Sequence, residues 1–187
     1  MVAKGLDFSN VTLVGVINAD TSLNIPDFRS AENTFQLLSQ VSGRAGRSDL
    51  EGEVVIQTYN PDHYSIRYAK CHDYLNFYKE EMEIRRALCY SPYFYITLVN
   101  IASKDYDLGF REANKIGEYL RKNLSEGTKV LGPSMANIFR INNIYHYQCI
   151  IKYKRDDNLG RVLREIDNIY KVNNKIDVDI DVDPVRI

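Results

Sequence analysis

The feature that most constrains this chain is an unbroken apolar run near its start, residues 11–19 (VTLVGVINA). A strand with one face in water alternates apolar and polar residues. A strand covered on both faces is apolar throughout, as in a parallel sheet between helical layers. Such a strand needs paired neighbours and helices on both sides. One more strand pattern lies close by, residues 52–59 (GEVVIQTY). Two strands and one helix do not cover a doubly buried sheet. The run therefore predicts that the chain is a C-terminal piece of something longer.

Around these strands the pattern is helical. Residues 20–30 are loop-like, with Pro26 among turn formers. Residues 31–45 read as a helix, with Phe35, Leu38, Val41 and Ala45 on one face and Gly46 and Ser48 ending it. Residues 62–88 are polar with scattered aromatics and close on Glu80, Glu81, Glu83, Arg85 and Arg86. They predict one long connecting helix, stopped at Ser91-Pro92.

Beyond that point the rhythm changes. Residues 93–102 read as a strand and 105–124 as a helix with Phe110, Ala113, Gly117, Leu120 and Leu124 inward. Residues 129–132 form a short strand ended by Gly132-Pro133. Residues 138–141 and 144–154 read as a hairpin across Asn142-Asn143, a pair that tolerates positive φ. Residues 158–171 read as a second helix with Leu159, Val162, Leu163, Ile166 and Ile169 inward, and 175–183 as a last strand. The order β-α-β-β-α-β is that of a split βαβ, ferredoxin-like α+β domain. The predicted organisation is an α/β segment over 1–60, a connecting helix over 61–91 and an α+β domain over 92–187.

Charge and cysteine usage narrow the class. Lys and Arg number 24 and Asp and Glu 25, which excludes a uniformly basic nucleic-acid wrapper and a highly charged disordered chain. No apolar run is long enough for a membrane span. The opening MVAKGLDFSN lacks a basic start with an apolar core, so no signal peptide is expected. Cys71, Cys89 and Cys149 are odd in number and widely spaced. They make neither a zinc pattern nor a disulfide framework, which suits a reducing cytoplasm.

Four motifs carry chemistry. The first is Gln40-Val41-Ser42-Gly43-Arg44-Ala45-Gly46-Arg47. Two arginines three apart, each after a glycine, stand at a helix end. The glycines leave each guanidinium uncovered, and a planar, permanently charged fork suits a phosphate. Phosphoryl transfer draws on such a charge at the γ-phosphate. A glycine-rich basic surface turn has the same composition. The second is Lys4-Gly5-Leu6-Asp7-Phe8, 36 residues before Gln40. A Gly-x-Asp loop before a core strand offers amides to phosphate and a carboxylate to a ribose hydroxyl, though it also serves as a plain turn. The third is the stretch from Arg121 to Arg155, with seven Lys/Arg (121, 122, 129, 140, 152, 154, 155), one acid, Glu126, and Phe139, Tyr145, Tyr147 and Tyr153 interleaved. Cations neutralise phosphates and aromatics stack on bases; the three tyrosines also share one strand face and so suit a core. The fourth is Asp177, Asp179, Asp181 and Asp183, alternating with apolar residues. Same-face strand neighbours are about 7 Å apart, so a solvated, edge-protecting face is favoured over a cation site. His63, His72 and His146 are scattered and none reads as catalytic.

The stretch KGLDFSNVTLVGVINAD with DFRSAENTFQLLSQVSGRAGR resembles motifs V and VI of superfamily-2 helicases. NIPDFRSAENTFQLLSQVSGRAGR, VLGPSMANIFRINNIYHYQCIIK and the ending DIDVDPVRI resemble the bacterial primosomal protein N-prime (PriA) family of replication-restart helicases. The resemblance runs from Met1 to Ile187; Leu6 departs from it, standing where many members have His. It implies a truncated RecA-like motor lobe followed by a DNA-binding domain. Gln40, Arg44 and Arg47 would face the γ-phosphate as catalytic residues. Gly5, Asp7, Gly43 and Gly46 would line the nucleotide, with Gly5 and Asp7 coupling it to DNA. Lys4, Arg140, Lys152, Lys154 and Arg155 would contact DNA. ATP, Mg2+ and Zn2+ would belong to the full-length parent, bound upstream, with no metal or cofactor in this piece. Branched or forked DNA, single-stranded-DNA-binding protein and other primosome proteins would be its partners, with no membrane. The parent would be an ATP-dependent 3′→5′ DNA helicase that restarts stalled forks and helps load the primosome; this piece alone would not turn over ATP. The rivals are another superfamily-2 helicase or translocase, against which the Leu-Gly-Pro and Asp-Val-Asp-Pro segments argue, and a non-enzymatic α+β nucleic-acid-binding module.

Overall fold

A computed structural model describes residues 11–43, 52–172 and 175–185. The chain divides into two compact units, residues 1–84 and 85–187. Among the described residues no helix is long and apolar enough to cross a membrane.

In the first unit the two Val-rich segments pair in parallel as β1 (Leu13–Val16) and β2 (Glu53–Ile56), Leu13 opposite Glu53 and Val16 opposite Ile56. A short helix, α1 (Asp20–Leu23), follows β1 where the sequence reads as loop. The crossover helix is α2 (Ser30–Ser42), which buries Ala31, Thr34, Phe35 and Leu38. The predicted inward face of this helix is therefore real at Phe35 and Leu38, while Ala45 lies outside the described residues. Two further helices, α3 (Tyr64–Lys70) and α4 (Tyr74–Ala87), add Ile66, Ala69 and Phe77 to the same core, with the Phe35 and Phe77 rings stacked 4.1 Å apart. Val16 and Ile56 pack onto it, whereas Leu13 and Ile17 are 61% and 85% exposed. The apolar run is thus covered on one face only among the described residues. Nor is the segment after β2 one long helix. His72 sits at φ 54°, in the left-handed region, and the chain turns there between α3 and α4. A bulky residue at positive φ cannot continue a right-handed helix.

The second unit runs β3 (Tyr95–Ser103), α5 (Tyr106–Asn123), β4 (Lys129–Ile141), β5 (Ile144–Tyr153), α6 (Leu159–Tyr170) and β6 (Ile176–Val182). The strands form one antiparallel sheet in the order β4-β5-β3-β6. Alternation sends Val99, Ile101, Tyr147, Cys149 and Ile151 to one face, where α5 and α6 meet them with Ala113, Ile116, Leu120, Val162 and Ile166. Asp105 caps α5 by accepting the Leu108 N–H at 2.9 Å. Gly109 permits the close approach of that helix: a Cβ there would lie 2.8 Å from Tyr147 Cε2. Asn142 and Asn143, at φ 50° and 62°, make the β4–β5 turn that their sequence implies.

Three details depart from the sequence pattern. The strand begun at Lys129 does not end at Gly132-Pro133; β4 continues to Ile141, with register shifts after Leu131 and after Met135. Phe110 and Ile169 are 51% and 61% exposed. Ile116 takes an inward place on α5, and on α6 Tyr170 turns in to donate to Glu112 Oε2 at 2.8 Å. Asp183 leaves the line of β6 at φ 55°, its N–H donating to Ile96 O at 2.8 Å.

Candidate functional site

The candidate nucleotide residues are only partly described. Gln40 and Gly43 stand exposed at the C-terminal end of α2, and the Gly43 N–H donates to the Ser39 carbonyl at 3.3 Å. Lys4, Gly5, Asp7, Arg44, Gly46 and Arg47 lie outside the described residues. The two motifs stand before the two strands in the sequence. One precedes β1 and the other precedes β2. The two strands run parallel, and the Glu53 N–H donates to Thr12 O at 2.7 Å where the segments enter the sheet.

At the opposite end of these strands sits Asp20, which motif reading did not single out. It is buried, and its carboxylate accepts from Tyr59 N and Thr58 Oγ1, each at 2.9 Å. The Tyr59 N–H, with help from Thr58, holds the carboxyl below its ordinary range. The arrangement ties the exit of β2 to the start of α1. An isolated Asp after an apolar run carries no sequence signal for such a contact.

The basic stretch of the second unit is not one patch. Arg140 is opposite Tyr145 near the hairpin turn; it is exposed, its Nη2 is 2.8 Å from Asn143 Oδ1 and its guanidinium lies 5.2 Å from the Tyr145 ring centroid. Lys154 and Arg155 follow the far end of β5, nine or ten residues on from Tyr145. At about 3.3 Å per residue that separates them from Arg140 by roughly 30 Å. Lys154 and Arg155 are exposed; Lys154 Nζ lies 5.2 Å from the Phe94 ring and Arg155 Nε is 3.2 Å from Asp157 Oδ1. The Arg121 guanidinium donates to the Gly132 carbonyl.

Lys152 corrects the sequence reading. It is buried at 5% exposure; its Nζ donates to Leu88 O at 3.0 Å and lies 3.4 Å from the Tyr90 ring centroid. Burial holds its ammonium below the ordinary lysine range. A strap, residues 88–94, crosses this part of the sheet and takes up Lys152, so its charge is not offered to phosphate. Of the interleaved aromatics, Tyr147 is buried and Phe139, Tyr145 and Tyr153 pack partly buried against the core; the Phe139 and Tyr147 rings meet edge to face at 5.4 Å, and Tyr147 Oη donates to Tyr106 O at 3.1 Å. Stacking on bases is therefore not open to Tyr147.

Asp156, between β5 and α6, is a second group that motif reading passed over. Burial works against its ionisation, but hydrogen bonds from Thr128 and Ser125, and from the Asn158 N–H, hold it below the ordinary carboxylate range. It staples the loop between α5 and β4. Asp177, Asp179 and Asp181 lie exposed along the edge strand β6, opposite Ala102, Asn100 and Leu98. Among the described residues no group of three or more His, Cys, Asp or Glu is placed to hold a metal ion.

Residues 86–185 match the family model described as the primosomal protein N C-terminal domain. The chain belongs to this family. It is 52% identical over 187 residues to the replication restart protein PriA of Bacillus subtilis, covering 98% of this chain and 23% of that protein. It is 38% identical to PriA of Synechocystis sp. over 188 residues, covering 100% of this chain and 22% of the relative. It is 36% identical to PriA of Chlamydia muridarum over 185 residues, covering 99% and 25%. The chain thus spans about a quarter of the length of the curated relatives it matches. A de novo designed protein, Foldit4, aligns with 50% of the chain and 99% of its own length at 14% identity and a TM-score of 0.39. The family's matched region begins next to the division between the two units and takes in the strap, the sheet and both of its helices.

Proposed function

We propose that this chain is the C-terminal portion of an ATP-dependent 3′→5′ DNA helicase that restarts stalled replication forks and helps load the primosome. The single observation that carries the reading is the 52% identity, over nearly the whole chain, to a protein named for replication restart. In this reading the first unit is the end of a RecA-like motor lobe, and the parallel pair β1–β2 with its crossover helix α2 supports it. The second unit is a split βαβ, ferredoxin-like domain; its element order and its β4-β5-β3-β6 sheet support that assignment. Gln40, Arg44 and Arg47 turn toward the γ-phosphate, and Gly5, Asp7, Gly43 and Gly46 line the nucleotide path beside Lys4. Forked DNA meets the exposed cations Arg140, Lys154 and Arg155. Single-stranded-DNA-binding protein and other primosome components complete the setting, in the cytoplasm.

ATP with Mg2+ supplies the phosphoryl group that the parent cleaves, and the arginines of this chain stabilise charge developing on it. Zn2+ is assigned to the parent upstream, because the three cysteines here do not fit a zinc site: Cys71 is exposed, and Cys89 and Cys149 are buried on different sheet faces. The test uses the full-length protein. Arg44→Ala or Arg47→Ala should reduce DNA-stimulated ATP turnover by at least ~100-fold, by analogy with arginine fingers, while fork binding persists. Normal hydrolysis in both variants would overturn the motor assignment.

A further inference from the structure

Three titratable side chains of the second unit converge on the strap. Lys129, at the start of β4, points its Nζ at Cys89 Sγ, 3.1 Å away. Lys152 is its cross-strand partner on β5 and reaches the residues on either side of Cys89, the Leu88 carbonyl and the Tyr90 ring. Like charges directly opposite on neighbouring strands repel. A buried ammonium also needs a counter-charge. Neither lysine is paired with a carboxylate among the described residues. The side chain that Lys129 meets there is the thiol of Cys89, held on a strap whose backbone lies at φ 57°.

The other two cysteines provide the contrast. Cys149 lies in the helix-covered core, and burial pushes its thiol up to about 11. Cys71 is exposed. A neighbouring ammonium is the feature that separates a nucleophilic cysteine from a structural one, because it stabilises the sulfur as it gives up its proton. Cys89 has one ammonium in contact and a second beside it. Its 7% exposure admits a small reagent and hinders a large one.

We propose that Cys89, activated by Lys129 and Lys152, is a modification site that takes small hydroperoxides as its electrophile. The sulfur, having released its proton to solvent, attacks one peroxide oxygen. An S–O bond forms as the O–O bond breaks, and hydroxide (from hydrogen peroxide) or alkoxide (from an organic hydroperoxide) leaves toward Lys129 and is protonated to water or the alcohol. Sulfur is oxidised by two electrons to the sulfenic acid and the peroxide is reduced. The oxidised side chain sits where the strap joins α4 to β3.

The test uses the full chain carrying Cys71→Ser, treated with hydrogen peroxide at neutral pH. Peptide mass mapping follows the gain of one oxygen, reversible by dithiothreitol. Cys89 should be oxidised at least ~10-fold faster than Cys149, and Lys129→Met should slow it by about tenfold. Lys129→Arg should restore most of the rate. Lys129 is exposed, so its variants should keep the fold, which far-UV circular dichroism checks. A lysine that merely clamps the strap would act with the opposite sign, because removing it would open access and speed oxidation. No oxygen at Cys89, equal rates at Cys89 and Cys149, or an unchanged or faster rate in Lys129→Met would each overturn the proposal.

Discussion

Lys152→Ala and Lys154→Ala remove the same side chain and the same charge, two residues apart, one within β5 and one just past its end, yet should behave in opposite ways. Lys154 is exposed, so its loss should leave stability within about 0.5 kcal/mol, as for most surface substitutions. If it meets a phosphate, its loss should flatten the plot of log affinity for forked DNA against log salt by up to about 0.9. Lys152 is 5% exposed. Truncation there removes three buried methylenes, about 2.4 kcal/mol at roughly 0.8 kcal/mol each. It also removes a desolvated cation–π contact of about 2 kcal/mol. Relief of the buried ammonium offsets part of that, leaving a net loss of about 2–4 kcal/mol. A typical domain has about 5–15 kcal/mol in all, so the shift in urea midpoint should be large. The assay pairs urea unfolding, followed by circular dichroism, with a salt titration of fork binding by fluorescence anisotropy. An unchanged midpoint for Lys152→Ala, together with a slope flattened by about one unit, would refute the latch and return Lys152 to the DNA surface.

Three further outcomes are expected. Thr97 Oγ1 is enclosed with no hydrogen-bond partner, so Thr97→Val should raise stability by about 1 kcal/mol; a lower urea midpoint would contradict this. The folded Asp156 carboxyl is held below its ordinary 3.8, so the unfolded chain takes up the proton first. Its contribution is therefore complete above 3.8 and lost as pH falls through the folded value. Asp156→Asn should be less stable at neutral pH but show a shallower decline in acid, and a wild-type pH profile in that variant would refute the staple. Residues 93–187 should fold alone, but residues 85–187 should withstand more urea, because they retain the strap that Lys129 and Lys152 hold. A collapsed amide spectrum for 93–187, or equal midpoints for the two chains, would refute that division.

The parts legible in the sequence were those where a residue's neighbours in the chain decide its conformation. Asn142-Asn143 accepts positive φ whatever surrounds it. The spacing of Ala113, Gly117 and Leu120 puts them on one face of α5 by helical geometry alone. The family resemblance was legible for a different reason, since it rests on residue identity and order.

Contacts distant in sequence decided the remainder. His72 turns the chain inside a segment whose composition suits an unbroken helix. Asp20 finds its donors at Thr58 and Tyr59, 38 and 39 residues away. The parallel pairing of β1 with β2 brings Leu13 opposite Glu53. Lys152 and Lys154 share a residue type and stand two residues apart at the end of β5, and sequence spacing alone would expose both. Which of them reaches solvent depends on a strap that crosses the sheet from 64 residues earlier in the chain. Periodicity reports which side chains face the same way; only the folded chain determines what lies over them.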